Sequence, residues 1–70
     1  MMRLSARNQV RARVVGVTEG EATANVELDA SGVRMVASIT VEAARELKLS
    51  AGREVVAMIK ASDVMLAVPD

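Results

Sequence analysis

The sequence predicts a small, mainly β domain: about five short strands, closed or partly closed into a barrel, with one short helix between the third and fourth. Three observations carry this. Most of the chain alternates apolar and polar residues with period two. One stretch, beginning at Thr40, switches to helical spacing. A length of 70 residues, 51% of them hydrophobic, supplies one core and no second.

The elements follow in order. Val10, Ala12, Val14 and Gly16 alternate with Arg11, Arg13, Val15 and Val17, which predicts a first strand with one apolar and one mixed face. Thr18-Glu19-Gly20-Glu21 supplies a turn. Ala22, Ala24, Val26 and Leu28 alternate with Thr23, Asn25, Glu27 and Asp29 in a half-buried second strand. Asp29-Ala30-Ser31-Gly32 reads as a hairpin loop with its glycine in the left-handed region. Val33, Met35, Ala37 and Ile39 share a face of the third strand. Thr40 is then placed to cap a helix over 41–48, with Glu42 in its first turn and Lys48 near its end. Ser50-Ala51-Gly52 ends that element. Glu54 to Lys60 reads as a fourth strand and Val64 to Val68 as a fifth, separated by Ala61-Ser62-Asp63. An OB-like barrel fits this order, and an open sheet with a covering helix is the alternative.

The apolar residues are small: 12 Ala and 12 Val against 5 Leu, 2 Ile and 5 Met. Such a core is marginal for a monomer, and no disulfide is available to supplement it. Oligomerisation is the expected remedy. It would also cover the sheet edges and the mixed-face residues Val15 and Val17.

Composition excludes several functions. Cys, His, Phe, Tyr and Trp are all absent. There is thus no thiol nucleophile, no imidazole base, no Cys/His metal site and no aromatic platform for a nucleobase. Nine basic and nine acidic residues give a net charge of zero, unlike a general polyanion binder. Arg7, Arg11 and Arg13 are the one cluster that would favour a nucleic acid. Met1-Met2-Arg3-Leu4-Ser5 begins no apolar leader, and Val55 to Ile59 is far too short to span a bilayer. A cytoplasmic protein, with no membrane partner, is expected.

Catalysis is poorly supported. A Lys60–Ser62 dyad is conceivable, but a surface lysine beside a turn-capping serine explains the pair as well. Glu42 and Glu46 fit a solvated helix face. The chain is therefore not expected to be an enzyme.

Three polar clusters say more. Ser5-Ala6-Arg7-Asn8-Gln9 stands before the first strand, Ser38-Ile39-Thr40 at the start of the helix, and Lys60-Ala61-Ser62-Asp63 after the fourth strand. Each alone has a bland explanation: a polar lead-in, a helix cap, a capped turn. Together they offer hydroxyls, an amide, two cations and a helix N-terminus, the donors that a small oxyanion needs.

These clusters resemble a known family, the molbindins, small molybdate-binding proteins made of a Mop domain. The resemblance rests on Ser5-Ala6-Arg7-Asn8-Gln9-Val10, Ala37-Ser38-Ile39-Thr40, Leu49-Ser50-Ala51-Gly52-Arg53-Glu54-Val55 and Ile59-Lys60-Ala61-Ser62-Asp63-Val64-Met65. It covers nearly the whole chain, so residues 1–70 are expected to form a single Mop domain. The resemblance implies an OB-like barrel with strand exchange inside a dimer, and a homohexamer built as a trimer of dimers. It implies molybdate, and tungstate, bound at subunit interfaces for storage or homeostasis of molybdenum, with no cofactor and no direct protein–metal bond. Ser5, Arg7, Thr40, Lys60, Ala61 and Ser62 match the family's main oxyanion site. Arg7, Asn8 and Gln9 match a second site around the threefold axis. Related Mop domains serve as sensors in molybdate-responsive regulators and as parts of transporter ATPases. One departure stands at Ala43, where many relatives carry a serine that helps hold the anion. The alternative is an OB-like oligomeric interaction module without an anion ligand.

Overall fold

The computed structural model describes residues 5–69, so the Met1–Leu4 lead-in lies outside the described residues. Strands β1 (Asn8–Glu19), β2 (Thr23–Ala30) and β3 (Val33–Thr40) precede helix α1 (Val41–Glu46) and strand β4 (Glu54–Ile59). A short 3₁₀ turn over Ala61–Asp63 follows. The strands form one antiparallel sheet in the order β3-β2-β1-β4.

β1 is the shared strand. Its first half, Asn8 to Arg13, pairs with β4. Its second half, Arg13 to Glu19, pairs with β2. Arg13 is shared by both ladders, and a bulge between Val14 and Gly16 interrupts the β1–β2 ladder just beyond it. The extra residue shifts the alternation by one position. Val10, Ala12 and Val14 point inward before it, and Val17 packs inward after it. Strict period two had assigned Gly16 to the apolar face and Val17 to the mixed one. The bulge reverses both, while Val15 remains 49% exposed.

The β2–β3 hairpin turns on Ser31 and Gly32, with φ of 52° and 90°. Two consecutive left-handed residues make the tight turn whose twist matches the strands. Asp29 Oδ1 accepts from the Gly32 N–H at 3.0 Å and fixes it. β3 buries Met35, Ala37 and Ile39 in part, but Val33, beside the turn, is 62% exposed.

The helix begins as expected. Thr40 is its N-cap, and its Oγ1 accepts from the Ala43 N–H at 3.0 Å. It ends earlier than residue 48, because Lys48 adopts a φ of 54°. The Leu49 N–H donates to the Ala44 carbonyl at 3.1 Å, and the Lys48 N–H to the Arg45 carbonyl at 3.0 Å. This is the reverse turn that normally carries glycine at the Lys48 position. Gly52, with φ of 93°, leads into β4, and its N–H donates to the Val14 carbonyl at 2.8 Å.

The core is continuous but made of small side chains. Ala12, Val14, Val26, Leu28 and Ala30 form one cluster between the strands. Ala24, Val41 and Ala44 form a second under the helix, and Val17, Ile39 and Leu49 pack against both.

One expected element is missing. Residues 64–69 form no strand, and the described residues hold four strands rather than five. Met65 and Leu66 are each 92% exposed, and Val68 is 88% exposed. The segment is apolar enough for a buried strand but pairs with no edge of its own sheet. β3 and β4 are consequently both edges, with an apolar groove of about 460 Å³ between them. Met35, Ala37, Ile39, Val55, Ala57 and Ile59 line it.

Candidate functional site

The antiparallel pairing of β1 with β4 brings two of the three polar clusters together. The last rung joins Asn8 to Ile59. Arg7 and Lys60 each stand one residue beyond it, so both cations leave the sheet from adjacent strand ends. Ser5 precedes Arg7 in an exposed bend, and Ser62 follows Lys60 in the 3₁₀ turn. Both cations are exposed.

The turn closes through its backbone. The Asp63 N–H donates to the Lys60 carbonyl at 2.9 Å, and the Val64 N–H to the Ala61 carbonyl at 3.3 Å. No side chain caps it. Among the described residues, no hydrogen bond uses the Ser62 hydroxyl, so the bland explanation for that serine finds no support.

Charge pairing points the same way. Among the described residues the ion pairs are Arg34–Glu27 at 2.9 Å and Arg45–Glu19 at 3.1 Å. Arg7 and Lys60 belong to neither. Two neighbouring cations that have no carboxylate partner among the described residues repel each other until an anion joins them. Glu19 and Arg45 are bidentate, with a second bond at 3.2 Å. The Arg45 hydrogen bond holds the Glu19 carboxyl below its ordinary pKa, and the same bond raises that of Arg45.

Asn8 and Gln9 part company. Gln9 faces outward and is exposed, opposite Met58. Asn8 faces inward and is half-buried, and its Nδ2 donates to the Ile59 carbonyl at 3.2 Å. Sequence reasoning had no signal for that bond, because its partners lie 51 residues apart.

Thr40 stands elsewhere. It pairs with Thr23, next to the rung Ala24↔Ile39 and so past the end of β1, where Glu19 meets Ala24. The 12 residues of β1 lie between it and the Arg7–Lys60 end. The two expected parts of the site therefore sit at opposite ends of one strand. Accepting from the Ala43 N–H leaves the Thr40 hydroxyl its proton, so it faces solvent as a donor.

No group of His, Cys, Asp or Glu among the described residues could hold a metal ion. No helix among them is long and apolar enough to cross a membrane.

Comparison with known proteins decides the family. The TOBE domain model matches residues 4–66. The chain belongs to the TOBE-domain family. This TOBE domain is 40% identical over 68 residues to a probable molybdenum-pterin-binding protein of Haemophilus influenzae, covering 96% of this chain and 99% of that one. Its fold is similar to that of a molybdate-binding protein from Sporomusa ovata, with a TM-score of 0.92 and 31% identity over 96% of this chain and 100% of that one. It is also similar to the cytoplasmic molybdate-binding protein ModG, solved with molybdate bound. There the TM-score is 0.82 and the identity 37%, over 93% of this chain and 53% of that one. Its antiparallel sheet with one short helix thus has the OB-like architecture of those molybdate-binding proteins.

Proposed function

We propose that this TOBE domain binds molybdate, and tungstate in its place, between subunits of a homo-oligomer that stores or buffers molybdenum in the cytoplasm. The observation that carries the reading is the pair of cations, Arg7 and Lys60, which join no ion pair among the described residues and leave the sheet together from the Asn8–Ile59 rung. Ser5, Gln9, Ser62 and the Ala61 backbone add donors around them. The names of the relatives favour molybdate over other oxyanions.

The chemistry suits that ligand. Molybdate is a tetrahedral dianion without a proton at neutral pH, so a site of donors alone satisfies all its oxygens. Phosphate keeps a proton that would need an acceptor. Sulfate is excluded by size, through fixed spacing of the donors. Each charge-assisted bond contributes about 1.5–3 kcal/mol.

The site belongs to an assembly. Thr40 is remote from Arg7 and Lys60 within one chain, so a neighbouring copy supplies its hydroxyl. The same assembly accounts for the exposed Val64–Val68 segment and the groove between β3 and β4: the segment of one copy enters the groove of another. A dimer with exchanged strands, tripled into a hexamer, follows from the resemblance. The bound dianion then bridges subunits, and no catalytic step is involved.

Thermal unfolding tests the reading, with no added anion and then with molybdate, tungstate, sulfate or phosphate at matched ionic strength. Ligand at 100 times its Kd stabilises the native state by about 2.7 kcal/mol. For a domain of this size that raises Tm by about 10–20 °C. Arg7→Ala and Lys60→Ala should each lose the molybdate shift. An absent shift at millimolar molybdate would overturn the proposal and leave an interaction module without an anion.

A further inference from the structure

Asn8 lies in the polar opening segment, yet its side chain is directed away from that segment's exposed donors. Arg7 and Gln9 are exposed, whereas alternation along the strand turns Asn8 to the inner face with Val10, Ala12 and Val14. A carboxamide on that apolar face is costly without a partner. Its partner is the Ile59 carbonyl, 3.2 Å from Nδ2. That carbonyl belongs to the peptide unit joining Ile59 to Lys60. Planarity of the peptide means that fixing its oxygen also fixes its nitrogen, where Lys60 begins. The turn beyond has no side-chain cap of its own and relies on two backbone bonds. The Asn8 bond is therefore the one side-chain link, among the described residues, between the Arg7 strand end and the Lys60 strand end.

We infer that Asn8 is a positioning residue: it latches the Lys60–Asp63 turn to the start of β1 and so sets the spacing of the Arg7 and Lys60 charges. The consequence for anion selectivity rests on the function proposed above, while the latch itself does not. An anion site that separates molybdate from the smaller sulfate depends on donors held at fixed spacing. The backbone rung Asn8↔Ile59 stays when the side-chain bond is lost, but the turn beyond it loosens, and the two cations can then close on a smaller ion or spread apart. Loss of the latch should thus lower affinity for molybdate and also narrow the preference for it.

The test uses the full chain with two substitutions, Asn8→Leu, which keeps the size and removes the donor, and Asn8→Ala. Amide hydrogen exchange is followed first without anion. The Asp63 and Val64 amides, which close the turn, should exchange about five- to tenfold faster in both variants. The Gly20 and Val41 amides at the other end of the sheet should be unchanged. Calorimetry with sodium molybdate and sodium sulfate then reads affinity, with Lys60→Ala as the loss-of-charge comparison. Asn8→Leu should weaken molybdate several-fold and reduce the molybdate-to-sulfate ratio. Unchanged exchange at Asp63 and Val64 overturns the latch. Weaker molybdate binding with unchanged exchange makes Asn8 a direct ligand, which also overturns it. If the unsubstituted chain binds no molybdate, the exchange experiment still decides the latch, and only the anion reading has failed.

Discussion

Leu66→Ala separates a free tail from an exchanged strand. Leu66 is 92% exposed in the single chain, so truncating it there removes almost no contact. A surface change of that kind stays within about 0.5 kcal/mol. In an exchanged dimer the same side chain, on one strand face with Val64 and Val68, would lie in the partner's groove between β3 and β4. Truncating a buried leucine costs about 2–5 kcal/mol. Two copies change in each dimer, so association weakens by about 4–10 kcal/mol. At 1.4 kcal/mol per decade that is about three to seven decades in the dimer dissociation constant. Sedimentation velocity across a thousandfold range of concentration reads the difference directly. Dissociation of Leu66→Ala at concentrations where the unsubstituted chain stays assembled is the expected result. Identical sedimentation at every concentration would refute exchange of this segment.

Other perturbations follow from single features. Lys48 holds a φ of 54° at a position suited to glycine, so Lys48→Gly should raise stability by up to about 1 kcal/mol, read as a higher Tm. The Glu19 carboxyl is held below its ordinary pKa by Arg45, so its contribution is present at neutral pH and lost as pH falls through that lowered value. Glu19→Gln should therefore lower Tm at pH 7 and flatten the acid limb of the stability profile, with no difference once the carboxyl is protonated. Ala43→Ser should add a hydroxyl donor near the helix start and, in the proposed site, tighten molybdate binding about ten- to a hundredfold by calorimetry.

Much of the fold is legible in local pattern. Of the expected inner face of the second strand, Ala24, Val26 and Leu28 are buried, whereas Ala22 lies exposed before β2 and Ala30, expected in the loop, completes the face. The Asp29–Gly32 turn and the Thr40 cap carry their chemistry in adjacent residues. What pattern misses is set by distant partners. The bulge between Val14 and Gly16 lies within the β1–β2 ladder just beyond the last β4 rung, and nothing nearby in sequence marks it. Val64 to Val68 has the composition of a strand, but composition does not say which edge receives it. The site follows the same rule. Arg7 and Lys60 are recognisable as donors, while their adjacency depends on the β1–β4 register. Thr40 is equally recognisable, yet the register puts it at the far end of β1.

That placement links assembly to ligand. β4 ends at Ile59, the turn over Ala61–Asp63 redirects the chain, and the exposed apolar segment starts at Val64. The same few residues would thus carry the anion's charge partners and aim the segment that leaves for a second copy. In the proposed assembly, an anion that pulls Lys60 toward Arg7 also fixes the direction in which Val64 departs. Binding and exchange then share one turn, and a ligand that orders it favours the exchanged state by linkage. A core built of alanine and valine gains most from such coupling. So small a core is expected to leave a single chain marginal, and the fraction supplied by partner and ligand would be correspondingly large. Filling the site should therefore slow the exchange of subunits between the proposed hexamers.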